Sequence, residues 1–63
     1  MFYVVEFFER ECSIHIQITK YKREGSAKRY FNKLDDEHYS FLTKNFGEIW
    51  FIKGDKRKFN EYL

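Results

Sequence analysis

The chain has no proline, one cysteine, one alanine and three glycines that stand apart from one another. Each scarcity excludes something. Cys12, being alone, cannot close an intramolecular disulfide, so the fold must hold without that staple, and a reducing compartment suits it. Gly25, Gly47 and Gly54 each sit singly beside a turn signal, so no glycine-rich loop is present to cradle a phosphate. The N-terminal apolar run is broken by Glu6 and Glu9 and is too short to span a bilayer. No basic residue precedes it to mark a targeting segment. Together with a mean hydropathy of −0.73, this leads to the expectation of a cytoplasmic protein with no membrane contact. Repeats, linkers and low-complexity tracts are also missing.

Aromatic residues are what the chain has in excess, at 22%. They supply large buried areas per residue, which is one way for a short chain to build a core. The length of 63 residues allows a single domain, 1–63. Such a chain buries only about 60% of its unfolded surface, which points to a stability of about 3–5 kcal/mol. Residue usage leans to Phe, Tyr, Lys, Asn and Ile. That is the bias of AT-rich coding sequence, and in general style it resembles a short phage accessory protein, without any family motif. The resemblance implies a host cytoplasm as the place of action.

The net charge of +2 is small but unevenly distributed. Most of the positive charge lies between Lys20 and Lys33, where six basic residues face only Glu24.

"FYVVEFF" at 2–8 reads as a strand that is apolar on both faces. Phe2, Val4 and Phe8 share one side; Tyr3, Val5 and Phe7 share the other. "CSIHIQITKY" alternates Ile14, Ile16 and Ile18 against His15, Gln17 and Thr19. A hairpin turning at Arg10-Glu11 sets Phe7 against Ile14, Val5 against Ile16 and Tyr3 against Ile18. Glu24-Gly25 reads as a second hairpin turn, leading to a third strand in which Lys28, Tyr30 and Phe31 take part. "LDDEHYSFLTKNFG" reads as a helix capped by Asp35, with Tyr39, Phe41, Leu42 and Phe46 as its stripe and Gly47 closing it. "EIWFIK" is a short strand, and residues 54–63 form a terminal element that leans to helix. The expected fold is therefore α+β: a small antiparallel hairpin sheet, β-β-β-α-β in spatial order 3-2-1-4. One helix covers the odd-numbered face, with Ile16 buried beneath it, and a short C-terminal element follows.

On this reading the helix leaves the even-numbered face open, to be covered either by Phe59, Tyr62 and Leu63 of the terminal element or by another chain. That face carries Phe2, Val4, Phe8, His15, Thr19, Tyr21 and Tyr30 as candidate protein-binding residues, because uncovered apolar patches mark interfaces and aromatics dominate them. The expected partner is a protein or a second copy of the chain, and the expected role is a non-enzymatic binding module that inhibits or modulates a host macromolecule. The alternative is nucleic-acid binding by Lys20, Lys22, Arg23, Lys28 and Arg29, with nearby tyrosines for base stacking. No catalytic, cofactor or metal site is expected, and no small-molecule substrate. Cys12-x-x-His15 on a strand sends its two side chains to opposite faces, and a structural zinc wants four ligands. Glu6 and His15, opposed in the expected hairpin, have the makings of an acid–base couple but fit an ordinary cross-strand contact equally well.

Overall fold

The computed structural model describes residues 1–57. Two strands, β1 (Phe2–Arg10) and β2 (Ser13–Tyr21), are followed by a helix, α1 (Glu24–Lys33), and by two shorter strands, β3 (Tyr39–Lys44) and β4 (Glu48–Lys53). The strands make one antiparallel sheet in the order β2-β1-β3-β4. The architecture is thus a small α+β fold with a four-stranded antiparallel sheet and one helix, and "FYVVEFF" lies centrally in it. The terminal element expected at 54–63 falls mostly outside the described residues.

Two segments exchange roles relative to the sequence expectation. Residues 24–33 are the helix rather than a third strand. Gly25 drew the strand reading, but it lies in the first helical turn, where an added Cβ would meet nothing within 4 Å. The helical signals are Ala27 and Phe31, buried at i, i+4, and the Glu24–Lys28 ion pair of 3.0 Å at the same spacing. Residues 39–44 are a strand rather than a helix. Tyr39, Phe41 and Thr43 alternate with Ser40 and Leu42, and that period of two prevails over the helical stripe. Asp35, expected as an N-cap, instead accepts the Glu37 backbone N–H at 3.2 Å and shapes a turn. The β-β-β-α-β order with 3-2-1-4 pairing is therefore replaced by β-β-α-β-β.

The β1–β2 register is displaced by two residues from the expected one. Phe7 faces Ile16, Val5 faces Ile18 and Tyr3 faces Lys20. A shift of two leaves every side chain on its own face, so the face sets survive. The turn is Glu11-Cys12, with φ of 52° and 64°. Two consecutive positive φ values are what a tight antiparallel hairpin needs, although neither residue favours them. The β3–β4 turn repeats the device at Asn45 and Phe46, with φ of 54° and 60°. The Met1 ammonium donates to Asn45 Oδ1 and the Asn45 N–H donates to the Met1 carbonyl, each at 3.0 Å, fastening the N-terminus to this turn.

The helix covers the even-numbered face, contrary to expectation. Val4, Ala27, Phe31 and Leu42 form the core, with Phe2, Tyr21, Tyr30, Leu34 and Trp50 packed around it. Trp50 reaches this layer because the β3–β4 register shifts between Leu42 and Thr43, leaving Trp50 as the extra residue of a bulge. Lys53 closes the helix end: its Nζ donates to the Leu34 carbonyl at 2.6 Å and to the Asn32 carbonyl at 3.2 Å. These are acceptors a helix C-terminus leaves unfilled. Ile16, expected beneath the helix, is 56% exposed.

Leu42→Ala should lower stability by about 2–5 kcal/mol in urea unfolding, as expected of a fully buried leucine; a loss below about 1 kcal/mol would place the core on the wrong face. Cys12→Gly should raise stability by on the order of 1 kcal/mol, since glycine carries no penalty at positive φ; an unchanged urea midpoint would refute the strained turn.

Candidate functional site

The even-numbered side chains expected to face a partner lie under or beside the helix. Val4 is completely enclosed. Phe2 tilts against Trp50 at 5.5 Å between ring centroids. Phe8 is half-buried between His15, 5.8 Å away, and His38, 6.0 Å away. Tyr21 and Tyr30 lean together at 5.9 Å, and Thr19 is half-buried on the same side. These residues do share one face, as the alternation indicates, but α1 occupies it, and Tyr30 comes from the helix. Glu6 and His15 are not opposed: Glu6 faces Gln17, and His15 faces Phe8.

Beneath this layer the Tyr30 hydroxyl donates a short hydrogen bond to the Glu6 carboxylate. That bond, reinforced by burial and by the Glu6 charge, pushes the Tyr30 pKa up to about 12. Glu6, Phe8, Lys33, Leu34, Asp35, His38 and Ser40 line a cleft of about 190 Å³ beside it. Ser40 pairs across from Glu6, and its buried hydroxyl has no hydrogen-bond partner among the described residues. The cleft is smaller than the roughly 300–1,000 Å³ usual for organic ligands. Asp35, Glu37 and His38 bring one donor atom each within 4.8 Å of one another at its rim. All three are exposed, and Asp35 is engaged in its own turn.

The basic residues do not form a hairpin tip. Lys22 and Arg23 lie in the bend before α1, Arg29 is exposed on the helix, and Lys20 belongs to the opposite sheet face. Lys28 pairs with Glu24 and sits over the Phe51 ring at 5.6 Å. Tyr21 and Tyr30 point into the helix–sheet layer, so aromatic and basic groups are not interleaved on one surface.

No described helix packs on the odd-numbered face, but Val5, Tyr39 and Thr43 on it are buried while its margins are exposed. At its centre Phe7, Tyr39 and Phe41 touch in a row, with ring centroids 5.4 to 6.0 Å apart. At one end Tyr3 stacks on Phe46 at 4.1 Å. Around them Ile16, Ile18, Ile49, Ile52 and Phe46 are 48–58% exposed. The alternation of "CSIHIQITKY" was the signal for this surface; what it lacked was the helix's position.

Comparison with protein-family models, with curated proteins and with solved structures finds no match. Nor is any described helix long and apolar enough to cross a membrane.

The Tyr30–Glu6 bond gives a pH signature. Tyr30 ionises near pH 10 when unfolded but only near 12 when folded. Its contribution to stability is therefore complete below pH 10 and lost as pH rises towards 12. The difference in Tm between the parent and Tyr30→Phe should be constant below pH 10 and shrink above it. A difference independent of pH through that window would remove the bond's assigned role.

Proposed function

We propose that this chain is a small non-enzymatic module for protein recognition, and that its working surface is the odd-numbered face of the sheet. The supporting observation is the run of half-exposed isoleucines and Phe46 around the Phe7–Tyr39–Phe41 row. Small folded domains rarely leave a contiguous apolar patch of that kind in water, because each Å² withheld from burial forgoes about 25 cal/mol. Rigid aromatic centres with aliphatic surrounds are the composition of interface cores. The anchors are thus Tyr3, Phe7, Ile16, Ile18 and Phe41, in place of the even-numbered set. The phage-like residue usage supports an accessory protein of the cytoplasm, acting by occupying a surface of a host macromolecule rather than by chemistry. Nucleic-acid binding is the weaker reading, since Lys28 is engaged with Glu24 and the tyrosines are turned inward.

Ile16→Glu should leave the fold intact by circular dichroism, since the side chain is exposed, and should abolish the polypeptide cross-links that the parent forms, its own copy included. A parent that cross-links to nothing, in isolation or in a cell lysate, together with an Ile16→Glu variant that unfolds, would defeat the proposal. Titration with single- and double-stranded DNA and RNA at low salt tests the other reading. Binding that Lys22→Gln with Arg29→Gln removes, and that Ile16→Glu leaves alone, would move the working surface to the helix.

A further inference from the structure

We infer that β2 is a docking edge for a second copy of this chain, whose own β2 adds antiparallel to it about a two-fold axis that stands perpendicular to the sheet at Gln17. The inference goes beyond the recognition reading, since it concerns the border of the sheet and does not require the odd-numbered face.

The border is built for pairing. β2 is nine residues long, with neither bulge nor proline, and has no strand beside it among the described residues. Its three isoleucines, Thr19 and Tyr21 favour strand. Proteins that keep an edge strand single shorten it, bulge it or set charges along it. β2 carries one charged side chain, Lys20, next to its end. The border on the other side, β4, has six residues and a register shift in its pairing with β3.

Symmetry fixes the register. Directly opposed residues of an antiparallel pair place their side chains on the same face, and only an axis at Gln17 pairs all nine residues of Ser13–Tyr21 with their counterparts. Ile16 of each copy then lies opposite Ile18 of the other, His15 opposite Thr19, and Lys20 opposite Ile14. The isoleucine ridge runs on from one copy into the next, and no charge meets its like.

Charge selects the occupant. At the turn end Glu9 and Arg10 cancel, and Glu11 leaves that end net negative; at the other end Lys20, Lys22 and Arg23 are all basic. Glu11, Lys22 and Arg23 are exposed. Antiparallel pairing brings the Lys22–Arg23 bend of each copy beside the Glu11 turn of the other, and does so twice. A parallel neighbour of the same sequence would set basic end on basic end. A border complementary to its own reverse is what a two-fold dimer requires.

The helices leave room for this. α1 packs on Val4 and Leu42 of the two central strands, set back from the β2 border. In the joined sheet the two helices lie on one side, on the order of 20 Å apart, well beyond the roughly 8–10 Å at which helices touch.

Sedimentation equilibrium of the full chain over a concentration series should show a reversible dimer of twice 7.9 kDa. In a Cys12→Ser background, Gln17→Cys should close a disulfide between copies in a buffer of reduced and oxidised glutathione. Opposed Cα atoms lie about 4.5–5.5 Å apart, within reach of that bond. Thr19→Cys in the same background, opposed to His15, should stay reduced. Glu11→Lys alone, and Lys22→Glu with Arg23→Glu, should each weaken association by about 5-fold, and the three together should restore it. Circular dichroism of each variant should match the parent. Ile16→Glu disturbs both the border and the odd-numbered face, so Ile52→Glu separates them: Ile52 is exposed on that face at the opposite border, and its variant should keep the dimer. A dimer in which Gln17→Cys stays reduced would overturn the inference, and if Ile52→Glu dissolves that dimer, self-association belongs to the odd-numbered face and the recognition reading stands. A monomer at every concentration would overturn it as well. Slow amide exchange at every β2 residue of such a monomer would assign the border to residues 58–63 of the same chain, and failure to cross-link to any polypeptide would remove the recognition reading too.

Discussion

One constraint governs this molecule: it has a single described helix and a sheet that is apolar on both sides. Val4, Leu42, Ala27 and Phe31 close the layer between α1 and the even-numbered face. Ala27 is completely buried, and as the only alanine in the chain it offers the smallest side chain at the point of contact. Once the helix is spent on that face, everything on the other follows. The isoleucines of β2 and β4 stay half in water. The aromatic row of Phe7, Tyr39 and Phe41 lies on the side away from the helix, with Tyr39 buried and the other two half-buried. Two faces of similar apolarity share one described helix.

The amino-acid sequence made the β1–β2 hairpin legible because strict alternation over "CSIHIQITKY" admits no other period. It also made the face sets legible, and these survive a two-residue register shift. The helix was less readable. Ala27, Phe31 and Leu34 follow helical spacing, but Gly25 imitates a hairpin turn when nothing shows that it is merely tolerated in a first turn. "YSFLTK" is short enough that its aromatics satisfy a period of two and a helical stripe alike, and Asp35 serves a turn as readily as a cap. Local chemistry was correct at both places; pairing with β1 decided between the alternatives, and pairing is not local.

Which face is covered was the least readable property, and the candidate site turned on it. Val4 and Val5 are interchangeable as text. What separates them is that Tyr30 and Phe31 descend onto the even side, where Glu6 waits to accept the Tyr30 hydroxyl. A glutamate in the middle of an apolar strand was the one hint in the sequence that this side would meet a hydrogen-bond donor. The opposite side is mainly apolar among the described residues.

The two borders of the sheet are unequal. β4 is bent by its bulge at Trp50, and its terminal Lys53 is drawn in beneath the helix end. β2 runs nine residues from Ser13 to Tyr21 with neither bulge nor proline, and its outer row of backbone amides and carbonyls has no strand beside it among the described residues. A straight open border is a ready template for another strand. The kink that brings Trp50 into the core therefore also makes the β4 border a poorer template for a neighbouring strand than the regular β2 border.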